Sequence, residues 1–175
     1  MNKTLEQYIR TIQDFPKPGI GFKDITTLLK EPAPFREVIE TFATHFAPKQ
    51  VQKVVGIESR GFIFGAPLAL KLNAGFVPAR KPKKLPAATV REEYQLEYGT
   101  DALEMHVDGI QAGEQVLIID DLLATGGTAA AAVRLVEKLG GKIAGLGFLI
   151  ELDFLSGRRQ LGRYEVLSLL HVAAE

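Results

Sequence analysis

Val116-Leu117-Ile118-Ile119-Asp120-Asp121-Leu122-Leu123-Ala124-Thr125-Gly126-Gly127-Thr128 passes from an apolar run through two carboxylates and a glycine pair into an alanine-rich segment. An unbroken apolar run bounded by turn residues fits a strand buried on both faces, and Thr128 to Leu139 reads as a helix. Gly126 and Gly127 can take positive φ and leave room beside the backbone. The unpaired N–H groups opening the helix form an anion-binding concavity, to which Thr125 and Thr128 add hydroxyl donors. A phosphate monoester fits there without a lysine. Asp120 and Asp121, acceptors only when ionised, suit pairs of ribose hydroxyls and, directly or through water, Mg²⁺. A plain turn with two solvated acids would explain a lone Gly-Gly. Two acids ending an apolar strand, followed by Thr-Gly-Gly-Thr at a helix start, favour a ligand.

Outward from this stretch, the chain alternates short strands with helices. Strands are expected at Val54–Ile57, Gly75–Ala79, Val116–Ile119 and Lys142–Ile150, and helices at Phe35–Phe46, Gly61–Leu72 and Thr128–Leu139. Leu5, Tyr8, Ile9 and Ile12 predict one more helix, ending before the Pro16 to Pro18 break. The pattern is α/β, a mainly parallel sheet flanked by helices, with ligands beyond the carboxyl ends of its strands. Residues 81–109 break it: Lys81-Pro82-Lys83-Lys84-Leu85-Pro86 is basic and proline-interrupted, and weak alternation follows. This excursion reads as part β-ribbon and part flexible loop, and long loops in compact domains usually serve function.

With 175 residues, 46% of them hydrophobic, the chain suits one domain spanning 1–175. Its 21 basic and 21 acidic residues cancel, so no global field recruits nucleic acid or a membrane surface. An anionic ligand must be held by local groups. The absence of cysteine excludes disulfides, thiolate metal sites and cysteine nucleophiles. Met1 to Phe15 lacks the apolar run of a signal peptide, and no segment reaches the roughly 20 apolar residues that span a bilayer, so a cytoplasmic location is expected. His45, His106 and His171 have no acid or nucleophile pattern beside them and read as structural or exposed.

Glu58-Ser59-Arg60-Gly61-Phe62-Ile63-Phe64-Gly65 follows one strand and opens a helix, so its N–H groups and Arg60 can face the same crevice as the Asp pair. Its glycine spacing approaches that of a P-loop, but Lys-Ser/Thr is missing after the second glycine, and no Gly-x-Gly-x-x-Gly fingerprint follows a strand. Arg80, Lys81, Lys83 and Lys84 lie beyond the next strand, a cluster of cations suited to a strongly charged anion or, equally, to a solvated face. Asp14-Phe15-Pro16-Lys17-Pro18-Gly19-Ile20-Gly21-Phe22-Lys23-Asp24-Ile25 is a proline-stiffened turn presenting an aromatic ring. By itself Phe22 fits a core position as readily as a platform for a flat heterocycle.

The Asp-Asp-Leu-Leu-Ala-Thr-Gly-Gly-Thr wording resembles the phosphoribosyl pyrophosphate motif of type I phosphoribosyltransferases, in the form typical of the adenine phosphoribosyltransferase family. The Ser-Arg-Gly-Phe, Arg-Lys and Lys-Leu-Pro segments, the Phe22 hood and Glu151-Leu152-Asp153-Phe154-Leu155-Ser156-Gly157-Arg158 extend the likeness over nearly the whole chain. The resemblance implies the type I fold, with a small base-binding hood within 1–34 and a lid within 81–109. It implies that Asp120 and Asp121 bind the ribose hydroxyls and that Ala124, Thr125, Gly126, Gly127 and Thr128 wrap the 5′-phosphate. Ser59, Arg60, Arg80, Lys81 and Lys84 would meet pyrophosphate, near a non-proline cis peptide that would fall around Glu58-Ser59-Arg60.

By the same resemblance Phe22 stacks on adenine and the main chain of Lys23 reads its edge; the family usually has arginine at that position. Tyr94-Gln95-Leu96-Glu97-Tyr98-Gly99 resembles the family's catalytic loop, with Glu97 and Tyr98 closing over the reaction centre. Arg60 would assist there. Adenine's proton leaves either to Glu97 or to water. The implied activity is Mg²⁺-dependent purine salvage: adenine and phosphoribosyl pyrophosphate give AMP and pyrophosphate, in a homodimer with Arg80 near the interface. Two other readings stand beside it. Transfer to a 6-oxopurine would call for a donor to the 6-oxygen, for which Lys142 is the lysine close after the alanine-rich helix. A non-catalytic purine or phosphoribosyl pyrophosphate sensor would normally carry an added DNA-binding unit.

Overall fold

The structure, a computed structural model, describes residues 4–95 and 99–174. Its centre is a five-stranded sheet built from β3 (Lys53–Ile57), β4 (Gly75–Ala79), β7 (Gln115–Leu123), β8 (Lys142–Leu152) and β9 (Val166–Val172), in spatial order β4-β3-β7-β8-β9. Every neighbouring pair is parallel. Parallel pairing requires crossovers that cover the sheet, and α2 (Pro32–Phe46), α3 (Arg60–Lys71) and α4 (Gly127–Lys138) supply much of that cover.

Strand β7 explains why its apolar run lacks alternation. Val116 and Ile118 belong to one buried cluster, with the Ala129–Val136 stripe of α4; Leu117 and Ile119 belong to another, with Phe42, Phe46 and Phe64. Successive side chains of a strand point to opposite faces, and both faces are packed. The strand extends past Ile119 to Leu123, because β8 continues alongside it with Leu122 opposite Ile150 and Leu123 opposite Glu151. The predicted strand stopped at the first carboxylate, where propensity falls; pairing carries it further.

The opening segment departs from expectation. A single 3₁₀ turn covers Leu5–Tyr8, and β1 (Arg10–Ile12) then pairs antiparallel with β2 (Phe22–Asp24). Arg10 faces Asp24 across this ribbon and forms an ion pair with it. A helix this short gains little against the cost of nucleation, whereas Thr11 and Ile12 suit a strand. The short α1 (Thr26–Leu29) follows. Within the 81–109 excursion, β5 (Thr89–Gln95) runs antiparallel to β6 (Thr100–His106), which is its ribbon part. It rests on α4: Glu92 accepts from Arg134 at 3.1 Å and Lys138 at 2.6 Å. Among the described residues, no helix is long and apolar enough to cross a membrane.

Candidate active site

In chain order β3 is followed by β4 on one side, and β7 then lies on the other. The sheet therefore has a topological switch point between the carboxyl ends of β3 and β7, where open α/β sheets form their ligand crevice. The Glu58-Ser59-Arg60 turn leaves β3 there, and Asp120 and Asp121 lie in the last four residues of β7. Gly61 lets the two approach: a Cβ on it would lie 2.7 Å from the Ile119 carbonyl oxygen and 3.0 Å from Asp120 Oδ1.

The segment after β7 turns as its composition requires. Gly126 has φ +86° and caps α4, and the carbonyl of Gly157 sits where a side chain would begin. Asp120, Leu122, Leu123, Ala124, Thr125, Gly126, Thr128 and Ala129 line a cavity of about 80 Å³ at this helix start. Most of the predicted phosphate residues thus meet in one concavity, and Asp120 joins them. Gly127 is buried beneath the end of β5, a Cβ on it meeting the Gln95 carbonyl oxygen at 3.2 Å.

Asp121 continues the strand alternation toward α3. Arg60 Nε lies 3.0 Å from its Oδ2, and the Arg60 guanidinium is 5.1 Å from the centroid of the Phe22 ring. One arginine therefore spans from the buried Asp121 carboxylate to the hood aromatic, bringing the predicted ribose and base groups within one side chain of each other. Burial, then the neighbouring Asp121 charge, raises the pKa of Asp120 well above the usual carboxylate value. Burial also raises Asp121, against the opposing pull of Arg60. A nearby cation would favour their charged forms, and ionised carboxylates suit a hard divalent cation reached through water.

On the other flank, Arg80 donates through Nε and Nη2 to Glu58, both at 3.1 Å, and through Nη1 to the Lys84 carbonyl. Lys81 Nζ donates to Tyr94 Oη at 2.8 Å and pairs with Asp101. Burial opposes its charge, but Asp101 and Tyr94 outweigh that and raise the ammonium pKa. The peptide Glu58-Ser59 is cis, where the resemblance placed it.

Phe22 and Lys23 do not share a cavity. Adjacent on a strand, they point to opposite sides: Phe22 toward Arg60, and Lys23 into a space of about 380 Å³ whose walls include Ile20, Leu152, Phe154 and Leu155. Lys142 begins β8, at the end of the sheet opposite the crevice, so it does not serve as the donor a 6-oxopurine would need. Glu97 and Tyr98 lie outside the described residues. Two of the three histidines do have acids near them in space, since His45 Nε2 is 2.7 Å from Glu165 and His171 Nδ1 is 2.9 Å from Asp153. Asp153 and His171 approach Glu151 as a metal site would, but Arg158 already grips Glu151 through two nitrogens, at 3.0 and 2.5 Å.

Sequence reasoning missed the supports of the cradle. A Cβ on Gly157 would collide with the Ala124 carbonyl, and Gln160 Nε2 donates to Thr125 O at 2.9 Å. Their one signal was the resemblance of the Ser156-Gly157-Arg158 segment, since backbone packing across some 30 residues has no periodic trace.

A parallel sheet with its crevice at the switch point, two carboxylates in the exit half of the central strand and a glycine-capped helix start beside them define a phosphoribosyltransferase of type I architecture. The family described as "Phosphoribosyl transferase domain" matches residues 24–165. The adenine phosphoribosyltransferase of Koribacter versatilis is 58% identical over 168 residues, 96% of this chain and 92% of that protein; that of Solibacter usitatus is 60% identical over 166 residues, 95% and 96%. The crystal structure of the Thermoanaerobacter pseudethanolicus adenine phosphoribosyltransferase superimposes with a TM-score of 0.93 at 52% identity, covering 97% of this chain and all of that one. The Saccharomyces cerevisiae enzyme, solved with adenine and an imino-altritol bisphosphate, gives a TM-score of 0.91 at 42% identity over 95% of this chain and 96% of its own. The chain belongs to the adenine phosphoribosyltransferases, which are pentosyltransferases.

Proposed function

We propose that the chain transfers the phosphoribosyl group of phosphoribosyl pyrophosphate to adenine, releasing AMP and pyrophosphate in purine salvage. The observation that carries this reading is the juxtaposition at the switch point: the cavity at the start of α4, Asp120 and Asp121 beside it, and Arg60 reaching from Asp121 to Phe22. The N–H groups of Ala124 to Thr128 hold the 5′-phosphate, with Thr125 and Thr128 adding hydroxyls. Asp120 and Asp121 accept from the ribose hydroxyls. Ser59, Arg60, Arg80, Lys81 and Lys84 receive pyrophosphate, whose negative charge grows as its bond to the anomeric carbon breaks. Phe22 supplies the stacking face for adenine, and the main chain beside Lys23 reads the base edge.

The oxygen donors at the end of β7 fit Mg²⁺ through water; the cation would neutralise part of the pyrophosphate charge. By resemblance Glu97 and Tyr98 close over the anomeric carbon and exclude water, and the proton that adenine loses goes to Glu97 or to water. A homodimer is supported by the exposed apolar side chains of Ile63 and Leu70 on the outer side of α3, beside the edge strand β4 that leads into Arg80. The proposed location is the cytoplasm.

The test is pyrophosphate release from phosphoribosyl pyrophosphate and Mg²⁺, with adenine, hypoxanthine, guanine, xanthine or orotate supplied singly. Release with adenine alone supports both the reaction and the hood assignment. Release with another base alone keeps the phosphate site and overturns the hood assignment. Silence with all five overturns catalysis and favours a sensor.

A further inference from the structure

Glu58 closes β3 and is an acceptor-only group when ionised, so it repels an anionic leaving group and has no direct use as its ligand. Its surroundings explain its presence. Its backbone N–H donates to the Ala79 carbonyl at 2.9 Å, tying the end of β3 to the end of β4. Its carboxylate accepts from three donors: Arg80 Nε and Nη2, each at 3.1 Å, and the Lys81 backbone N–H at 2.9 Å. These bonds, the Arg80 pair first, lower its pKa, so it stays charged.

Arg80 carries five N–H donors. Two go to Glu58 and one, on Nη1, goes to the Lys84 carbonyl at 3.1 Å, which leaves one N–H on each terminal nitrogen. A planar guanidinium gripped along one edge has little rotational freedom, so the same bonds fix where the remaining N–H groups point. They share the hold on the Lys81 to Lys84 turn, which Pro82 interrupts, with Glu104, which bridges the Arg80 backbone and accepts from the Lys83 N–H at 3.0 Å. Glu58 immediately precedes the Ser59-Arg60 segment, and Arg60 pairs with Asp121. Glu58 thus orients the Arg80 guanidinium, and through the Lys81 N–H the start of the turn, relative to Arg60.

We propose that Glu58 is a positioning residue for pyrophosphate: it does not touch the leaving group but holds Arg80 and the Lys81–Lys84 turn in the geometry that receives it. This rests on the assignment of those cations to pyrophosphate.

The experiment compares Glu58→Gln, Arg80→Ala, Lys84→Ala and a Glu58→Gln/Arg80→Ala double variant, reading KM for each substrate, kcat, the inhibition constant of inorganic pyrophosphate, and Tm. In Glu58→Gln the KM for phosphoribosyl pyrophosphate and the pyrophosphate inhibition constant should rise together, roughly tenfold, as expected when a bidentate charged grip on a ligand-facing guanidinium is loosened. KM for adenine and kcat should stay within about twofold, and the double variant should bind little worse than Arg80→Ala alone, because the two residues act as a unit. Should the Gln variant not fold, Glu58→Asp, which keeps the charge on a shorter arm, carries the same expectation. A lowered Tm with both KM values unchanged would overturn the proposal and leave Glu58 a structural strut. So would a normal KM in Glu58→Gln while Arg80→Ala raises it. If neither Arg80→Ala nor Lys84→Ala alters KM for phosphoribosyl pyrophosphate, the pyrophosphate assignment itself falls, and the role of Glu58 with it.

Discussion

Replacing Gly61 by alanine tests whether the two halves of the crevice must approach as closely as they do. The added methyl carbon would stand 2.7 Å from the Ile119 carbonyl oxygen, whereas ordinary contact begins near 3.4 Å. Relieving it requires about 0.7 Å of separation between the start of α3 and β7 at Ile119. Neither the Ile119 carbonyl nor the α3 backbone is a flexible side-chain end, so the movement falls on the frame carrying Arg60 on one side and Asp120 and Asp121 on the other. Alanine favours a helix over glycine by about 1 kcal/mol, and overpacking costs about 1–3 kcal/mol, so the net loss of stability is at most about 2 kcal/mol. Such a loss leaves an ordinary domain folded at 25 °C. Misplacement of reacting groups by about 1 Å costs on the order of a hundredfold in rate, so kcat/KM for phosphoribosyl pyrophosphate should fall roughly 30- to 100-fold. Steady-state kinetics at saturating adenine, with Tm measured alongside, decides the matter. A Gly61→Ala enzyme retaining kcat/KM within threefold would refute the claim that this contact sets the site geometry.

Gly126→Ala should also lose activity, because its φ of +86° and the Gly157 carbonyl leave no place for a side chain; Gly113→Ala, at φ +88° with nothing within 4 Å, should lower Tm comparably to other left-handed substitutions and leave kinetics unchanged. Asp120→Asn should raise Tm at neutral pH while abolishing turnover: the native carboxyl has a raised pKa, so wild-type stability is fully present below the ordinary Asp pKa of 3.8 and is lost as pH rises through the folded value. The gain should vanish in melts near pH 3. Arg158→Ala should destabilise by about 1–3 kcal/mol at pH 7 in urea titrations, since it takes two charged donors from buried Glu151 and leaves it the Ser168 hydroxyl at 2.6 Å; the lowered Glu151 pKa gives stability present above 4.5 and lost as pH falls through the folded value. With zero formal net charge, kcat/KM for phosphoribosyl pyrophosphate should fall less than about tenfold between 50 and 500 mM KCl; a steeper fall would indicate long-range steering.

What the sequence disclosed were features whose cause lies within a few residues. The β7-to-α4 passage was legible because an apolar run, two acids and a glycine-capped helix start each have local physics, and those residues do form the concavity. The Phe35–Phe46 stripe gave α2 for the same reason. The first helix failed because β1 takes its conformation from β2, with Ile12 opposite Phe22, and the spacing of Leu5, Tyr8, Ile9 and Ile12 carries no information about that partner. Strand β9 was overlooked: Val166 to Val172 lies at the sheet edge, its pattern mixing half-buried and exposed positions without clean alternation.

The basic cluster shows a deeper limit of reading charge along a chain. In sequence, Arg80, Lys81 and Lys84 look like an unneutralised patch. In the fold, Arg60 meets Asp121, Arg80 meets Glu58 and Lys81 meets Asp101, partners separated by 61, 22 and 20 positions. Unpaired cations at this density would repel one another and move. Paired ones are held still, with the guanidinium of Arg80 gripped along one edge and the Lys81 ammonium between Tyr94 and Asp101. Preorganised donors stabilise developing charge because they need no rearrangement as the bond breaks. The acids that cancel the positive charge on paper are therefore what give it a fixed direction, and on the proposed assignment of these cations to pyrophosphate a balanced chain would hold a highly charged leaving group through placement instead of through excess charge.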